Sequence, residues 1–348
     1  MVHIKPLGIV TFILTMVASC QAQGSFINLY TDRHYDVDQE LFDAFTLETG
    51  IQVNVVKLDA DPLLTRLETE GTSTDADLIF LADAGRLGRA KAKGLLKPFP
   101  DQDSLDVVPS YLKDDDQQWI GLTKRARILV YDPTRVQANQ LSTYEALGDP
   151  NSTLKVAVRS SSHVYNQSLV ASMIEQIGVT ATSTWVEGLV NHFAIRDPLT
   201  GSTHPVGNDR DQAKAVYNQR ADVAIMNSYY FGRMLYSEDD SEVRVAESLA
   251  VYFPNQETFG THINISGVGL TKHGKRQDNA VALLDFLLSS SSQKIFADGN
   301  FEYPVRADVD PHPLLQSWGS FEEQTIALSS LYSNSLEAYQ LMVEAGWR

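Results

Sequence analysis

The chain has 348 residues, of which 43% are apolar and 21% charged, the balance of a folded protein rather than a disordered one. Its 44 acidic residues against 28 basic ones leave a net charge of −16. That sign excludes a nucleic-acid binder, whose affinity comes mainly from Lys and Arg on phosphates. One cysteine, Cys20, excludes an internal disulfide, a zinc ribbon and a CxxC redox centre.

Residues 1–20 read as an export signal. Lys5 precedes the apolar run Leu7 to Ala18, which is shorter than the roughly 20 residues a membrane-spanning helix needs. Val17-Ala18-Ser19-Cys20 resembles a bacterial lipobox, in which the cysteine becomes the lipid-anchored first residue. The alternative is a plain signal peptide cut a few residues later, with Cys20 removed. Both readings export the protein, and no later run is expected to anchor it.

From Phe26 the chain alternates strands and helices. Phe26–Tyr30 is a short apolar strand; Asp36–Thr49 puts Leu41, Phe42 and Phe45 on one helical face, with Gly50 as the stop. Ile51–Val55 alternates with period two. Asp61-Pro62 predicts a helix start running to Gly71, Asp77–Leu81 a buried strand, and the next helix closes near Gly94. This βαβα order predicts a mainly parallel sheet covered by helices on both faces. Asp101–Asp116 reads as a solvated acidic loop. Strands are then expected at Ile128–Tyr131, Val156–Val158, Ala221–Met226, Leu249–Phe253 and Ile263–Leu270, with helices near 164–177, 182–193 and 209–220. From Asp278 the chain reads as mostly helix. The economical arrangement is α/β, with two lobes: residues 25–122 with 252–310, and residues 123–251, followed by C-terminal helices over 311–348. The chain crosses near 121–127 and returns near 249–255. Two crossings make a hinge, and a cleft between hinged lobes traps ligands.

Catalytic signatures are sparse. There is no GxSxG elbow, no HExxH and no dinucleotide fingerprint. Gly269 to Lys275 has P-loop spacing, but Arg276 follows where Mg²⁺ coordination needs a hydroxyl, so the match is read as coincidence. Ser160–Ser162 with His163 raises an exported Ser/His hydrolase, yet sequence neighbours rarely have triad geometry and no acid partner is evident. The eight histidines show no ligand-like spacing.

Tyrosines are better placed. His34-Tyr35, Tyr165 and Tyr229-Tyr230 each follow a predicted strand, at the carboxyl ends where open α/β sheets bind ligands. Any one of them is readily explained as a packed ring with a wet hydroxyl. Three groups at equivalent positions in two lobes are not. A phenol titrates near pH 10, a poor donor for most divalent ions at neutral pH. A hard trivalent cation displaces that proton and is neutralised by several phenolates, which makes ferric iron a candidate ligand.

At these residues the chain resembles the periplasmic ferric-iron-binding proteins of bacterial ABC importers, in their cyanobacterial and marine subgroup. The matching segments include Leu29–Tyr35, Leu122–Arg127, Arg159–Ala171, Ser228–Arg233, Gly260–Gly267 and Ala345–Arg348. The resemblance implies the type II periplasmic-binding-protein fold, two lobes on a two-segment hinge, and no enzymatic activity. It implies Tyr35, Tyr165, Tyr229 and Tyr230 as iron ligands, with His34 a fifth ligand or a neighbour. Arg125 would hold a synergistic anion such as carbonate or screen a phenolate, and Arg233 would stand behind the site. The cargo would be Fe³⁺, with Fe²⁺ as the alternative oxidation state, and the partners a permease and its ATPase, served by a periplasmic monomer. Asp197–Val206, which carries His204, is longer than its counterparts and is expected to be a surface loop. The competing ligand is an organic cation such as a polyamine, for which the tyrosines would be walls beside carboxylates.

Overall fold

The computed structural model describes residues 25–194 and 205–348. The signal segment with Cys20, and the part of the expected 197–206 loop that holds His204, lie outside these residues.

The elements run β1 (Phe26–Thr31), α1 (Asp36–Thr49), β2 (Gln52–Lys57), α2 (Ala60–Glu70), β3 (Leu78–Ala82), α3 (Ala84–Ala92), β4 (Trp119–Tyr131), β5 (Val156–Ala157), α4 (Val164–Asn191), α5 (Asp209–Tyr217), β6 (Val223–Asn227), α6 (Ser228–Leu235), α7 (Asp240–Glu247), β7 (Ala250–Tyr252), β8 (Ile263–Leu270), α8 (Gln277–Leu287), α9 (Ser290–Asn300), β9 (Tyr303–Pro304), α10 (Pro313–Ser317), α11 (Ser330–Ser333) and α12 (Ser335–Glu344). The alternation is as expected, and α1 buries Leu41, Phe42 and Phe45 before Gly50 ends it at φ 74°. The α2 start differs from expectation. Asp59 rather than Asp61 stands at the cap, so Pro62 falls in the first turn, where its missing N–H has no helical partner to lose. α4 joins the two expected helices across Gly178, whose φ of 80° and ψ of 163° break the spiral.

The strands order as β2-β1-β3-β8-β4-β6-β5, with β7 and β9 paired to β4. The expectation of a mainly parallel sheet is corrected. Among the named strands β1–β2, β1–β3 and β5–β6 are parallel, while β3–β8 and the pairings of β4 with β6, β7, β8 and β9 are antiparallel. The cause is β4 itself. The segment expected to be a connection near 121–127 is the middle of this 13-residue strand. Its first part, Trp119 to Ala126, pairs with β8, and its last part, Arg127 to Tyr131, pairs with β6 and β7. One continuous strand thus serves a first strand group (β2, β1, β3, β8) and a second (β5, β6, β7). The chain returns from β7 to β8 through residues 253–262, where the Arg127 amide donates to the His262 carbonyl at 2.8 Å.

Two other regions depart from the sequence reading. The acidic stretch 101–116 is not simply solvated: Leu105, Val108 and Leu112 are buried, and buried Asp114 takes the Lys91 ammonium at 2.7 Å. The C-terminal segment also does more than add helices. Residues 322–324 bond to Thr261 at the return connection, α11 packs on both α3 and α4, and Trp347 is fully buried with its indole donating to the Arg159 carbonyl at 2.9 Å. Among the described residues no helix is long and apolar enough to cross a membrane.

Candidate metal centre

The three tyrosine groups sit where strands hand over to helices. Tyr35 caps α1 after β1; Tyr165 lies in the first turn of α4 after β5; Tyr229 and Tyr230 lie in the first turn of α6 directly after β6. The β1 loop is fixed by Thr31, whose hydroxyl donates to the Phe80 carbonyl at 2.7 Å and accepts the Arg33 amide at 3.0 Å. At α4 the His163 ring caps the helix, its Nδ1 accepting the Tyr165 amide at 3.3 Å.

These anchors make the phenols converge. The Tyr35 hydroxyl donates to Tyr229 Oη at 3.1 Å, and Tyr165 Oη lies 3.2 Å from the same atom. Tyr230 lies tilted beside Tyr229, ring centroids 4.2 Å apart, half-buried and facing a cleft of about 450 Å³ that Tyr35, Tyr165 and His34 also line. His34 is exposed, with its ring 5.1 Å from that of Tyr35, and no hydrogen bond ties it to the phenols among the described residues. Burial pushes the Tyr35 phenol up to about 12, and raises Tyr165 and Tyr229 well above the ordinary phenol value. With no cation present these groups keep their protons. A cation strong enough to displace them would find the Tyr35 and Tyr165 oxygens each within hydrogen-bond distance of the Tyr229 oxygen, and a fourth phenol beside them.

Arginines surround the rings. The guanidinium carbons of Arg125, Arg127 and Arg159 lie 5.5, 5.9 and 5.8 Å from the Tyr165 centroid; Arg33 and Arg233 lie 4.8 and 5.1 Å from that of Tyr35. Most have fixed partners. Buried Arg33 is paired with Asp38 at 2.8 Å and Glu302 at 3.1 Å; burial opposes its charge, and these two carboxylates outweigh that. Asp209 takes Arg127 and Arg159, both at 2.7 Å, and accepts the Asn227 amide next to α6 at 2.9 Å. Arg233 donates to Asn300 at 3.1 Å. Arg125 is the exception. Its Nη1 donates to Ser266 at 3.1 Å, but buried Nε and Nη2 have no hydrogen-bond partner among the described residues, and the nearest carboxylate, Asp83, stands 4.0 Å away. A buried guanidinium with spare donors is suited to an anion.

The tyrosines and Arg125 were legible in sequence; Arg33, Arg127, Arg159, Asp83 and Asp209 were not picked out. One signal was available. Lys124-Arg125-Ala126-Arg127 interrupts an apolar strand with charges, and arginine is rarely buried unless paired. The other readings meet obstacles. No hydroxyl of Ser160 or Ser162 bonds the His163 ring among the described residues; the two serines bond each other at 2.9 Å, and the imidazole is spent on the helix cap. At the P-loop-like turn the Lys275 and Arg276 amides are already taken by Asp77, at 2.9 and 3.0 Å. An organic cation would meet Arg33, Arg86 and Arg159 in the cleft, while Asp32 and Asp61 are engaged by Arg86 and Arg89. Among the described residues no group of three His, Cys, Asp or Glu could hold a metal, so a metal here depends on phenol oxygen.

The chain is similar to several known proteins. The family model for bacterial extracellular solute-binding protein matches residues 40–323. The chain is 42% identical to iron uptake protein A1 of Synechocystis sp. over 332 residues, 95% of this chain and 90% of that one. Among solved structures, IdiA (FutA) of Trichodesmium in complex with iron and citrate ligands superposes with a TM-score of 0.88 at 40% identity, covering 93% of this chain and all of that one. Apo FutA2 of Synechocystis gives 0.86 at 40% identity, covering 94% and 100%.

Proposed function

Because the chain belongs to the bacterial extracellular solute-binding proteins, we propose that it captures ferric iron in the cleft between two lobes of a type II binding-protein fold and delivers it to an ABC permease. Tyr35 comes from the lobe built on the first strand group, and Tyr165, Tyr229 and Tyr230 from the lobe built on the second. The observation that carries this reading is the meeting of Tyr35 and Tyr165 on the Tyr229 oxygen, at 3.1 and 3.2 Å.

Three or four phenolates offset the charge of Fe³⁺, which a dry cleft would otherwise refuse. The arginines set against the rings favour the phenolate over the phenol once the ion arrives. The spare donors of Arg125 would hold an anion that completes the coordination, and His34, on the cleft wall, is placed to act as a further donor. Since the shell draws on both lobes, iron stabilises the closed state over the open one, and the closed shape is what a permease would read. The relatives named for iron uptake and the export signal fit a periplasmic carrier working with a permease and its ATPase.

Replacing both Tyr229 and Tyr230 with Phe removes two oxygens and keeps the rings. Loss of outer-shell partners alone costs metal sites about 10- to 100-fold. The double variant is expected to lose more than that in iron affinity, together with the coloured phenolate-to-iron charge-transfer band. Unchanged affinity and spectrum would refute the assignment.

A further inference from the structure

Asp83 follows β3 and has a backbone φ of 135° and ψ of 127°, a conformation that side chains other than glycine's rarely adopt. The residue is fully buried. Such strain persists only where the surroundings hold it, and it collects at functional positions. Here the surroundings are a set of donors aimed at one carboxylate. The Gly85 amide donates to Oδ1 at 2.7 Å, Asn264 Nδ2 to Oδ2 at 2.8 Å, and Ser168 Oγ reaches the two oxygens at 3.0 and 2.9 Å. Arg125 Nη2 stands 4.0 Å from Oδ2.

Two of these donors share the surroundings of Asp83: Gly85 opens α3 and Asn264 lies on β8. Ser168 does not. It belongs to α4, which follows β5 in the second strand group, and it is itself buried. It lies three residues after Tyr165, so the two share one helical face a turn apart. Any movement that carries Tyr165 toward Tyr35 therefore carries Ser168 toward Asp83. With the lobes apart, water would take both groups; with the lobes together the carboxylate replaces it, and hydrogen bonds to buried charges are among the stronger ones.

We propose that Asp83 is a closure latch, a strained carboxylate on one lobe that accepts the Ser168 hydroxyl of the other only when the cleft is shut. It touches no phenol oxygen and is a positioning residue, biasing the open–closed equilibrium in which iron is held. The inference rests on the iron reading for its link to release, but the latch itself is a statement about lobe closure.

The test uses Ser168→Ala, which removes the latch donor and leaves every tyrosine, Arg125 and the other Asp83 donors in place. Ser172→Ala is the control: Ser172 is buried on the same helix one turn on, but among the described residues its hydroxyl bonds only the Leu169 carbonyl of its own helix. Iron loss to a competing chelator is expected to be about tenfold faster in Ser168→Ala than in the wild type, the scale of one such hydrogen bond, with the charge-transfer band unmoved. Ser172→Ala should release at the wild-type rate. Small-angle scattering of the iron-free proteins makes the test independent of iron, and the Ser168→Ala variant alone should shift toward the extended form. A wild-type chain that takes up no iron refutes the iron reading but leaves the scattering comparison to judge the latch. Iron binding with equal release rates and equal scattering profiles for both variants and the wild type overturns the latch.

Discussion

The two strand groups bring opposite charge to the centre. On the first side one arginine, Arg33, is held between two carboxylates, Asp38 and Glu302, and supports a single phenol, Tyr35. On the second side two arginines, Arg127 and Arg159, share one carboxylate, Asp209, and both approach the ring of Tyr165 beside Tyr229 and Tyr230. Counting formal charges, the first cluster sums to −1 and the second to +1. The side with more phenols thus carries the positive surplus. Phenolates repel one another, and a cationic background offsets that repulsion. On the proposed reading the labour is divided: the second side would be a prepared bed for phenolate oxygens, and the first would contribute one donor whose arrival closes the site.

The strongest way to break this comparison is to remove phenols side by side. Tyr165→Phe should cost more iron affinity than Tyr35→Phe, because the guanidiniums of Arg125, Arg127 and Arg159 all lie against the Tyr165 ring and favour its phenolate. Tyr35→Phe should keep a coloured but fast-releasing complex, held by the second side alone. Chelator competition and visible spectra of the two variants check this, and equal losses would contradict the asymmetry.

A smaller effect is expected from the carboxylates. Asp209→Asn leaves buried Arg127 and half-buried Arg159 without their shared counter-charge, and breaking a buried pair such as Arg127–Asp209 costs about 3–5 kcal/mol. Glu302→Gln leaves Arg33 its bond to Asp38 and should cost about 1–3 kcal/mol. Denaturant midpoints of the iron-free proteins measure both. The order should invert if the second cluster is not the one short of negative charge.

The smallest effect concerns the return connection. His262 is fully buried, its Nδ1 3.0 Å from Gln324 Oε1, and burial next to Arg127 and Arg125 lowers its value to about 3 from the ordinary 6.5. Between these values the unfolded chain binds the extra proton, so stability is full above about pH 6.5 and falls as pH drops toward 3. The loss is at most about tenfold in the folding equilibrium per pH unit. Urea midpoints at pH 7 and pH 5 should differ less in His262→Gln than in the wild type.

How much of this was legible in the sequence depended on whether the signal was local. Strand-end tyrosines are local, since short apolar strand runs precede Tyr35, Tyr165 and Tyr229, and the four phenols could be named from the sequence. The direction of the sheet was not local. Antiparallel pairing of β4 with β6, β7 and β8 depends on one strand passing through both groups, and that strand carries the charged residues Lys124, Arg125 and Arg127 in its middle. The reason they tolerate burial lies far away in sequence, in Glu323, Ser266 and Asp209. Asp83 was hidden for the same reason: its partners Ser168 and Asn264 are 85 and 181 residues distant.

The most direct test of phenolate capture is resonance Raman spectroscopy of the iron-loaded protein, excited in its visible band, with ring-deuterated tyrosine incorporated. Phenolates on the metal predict enhanced tyrosine ring modes that shift on deuteration and weaken in Tyr229→Phe. A loaded protein whose enhanced modes ignore the label would mean that iron is held by other atoms.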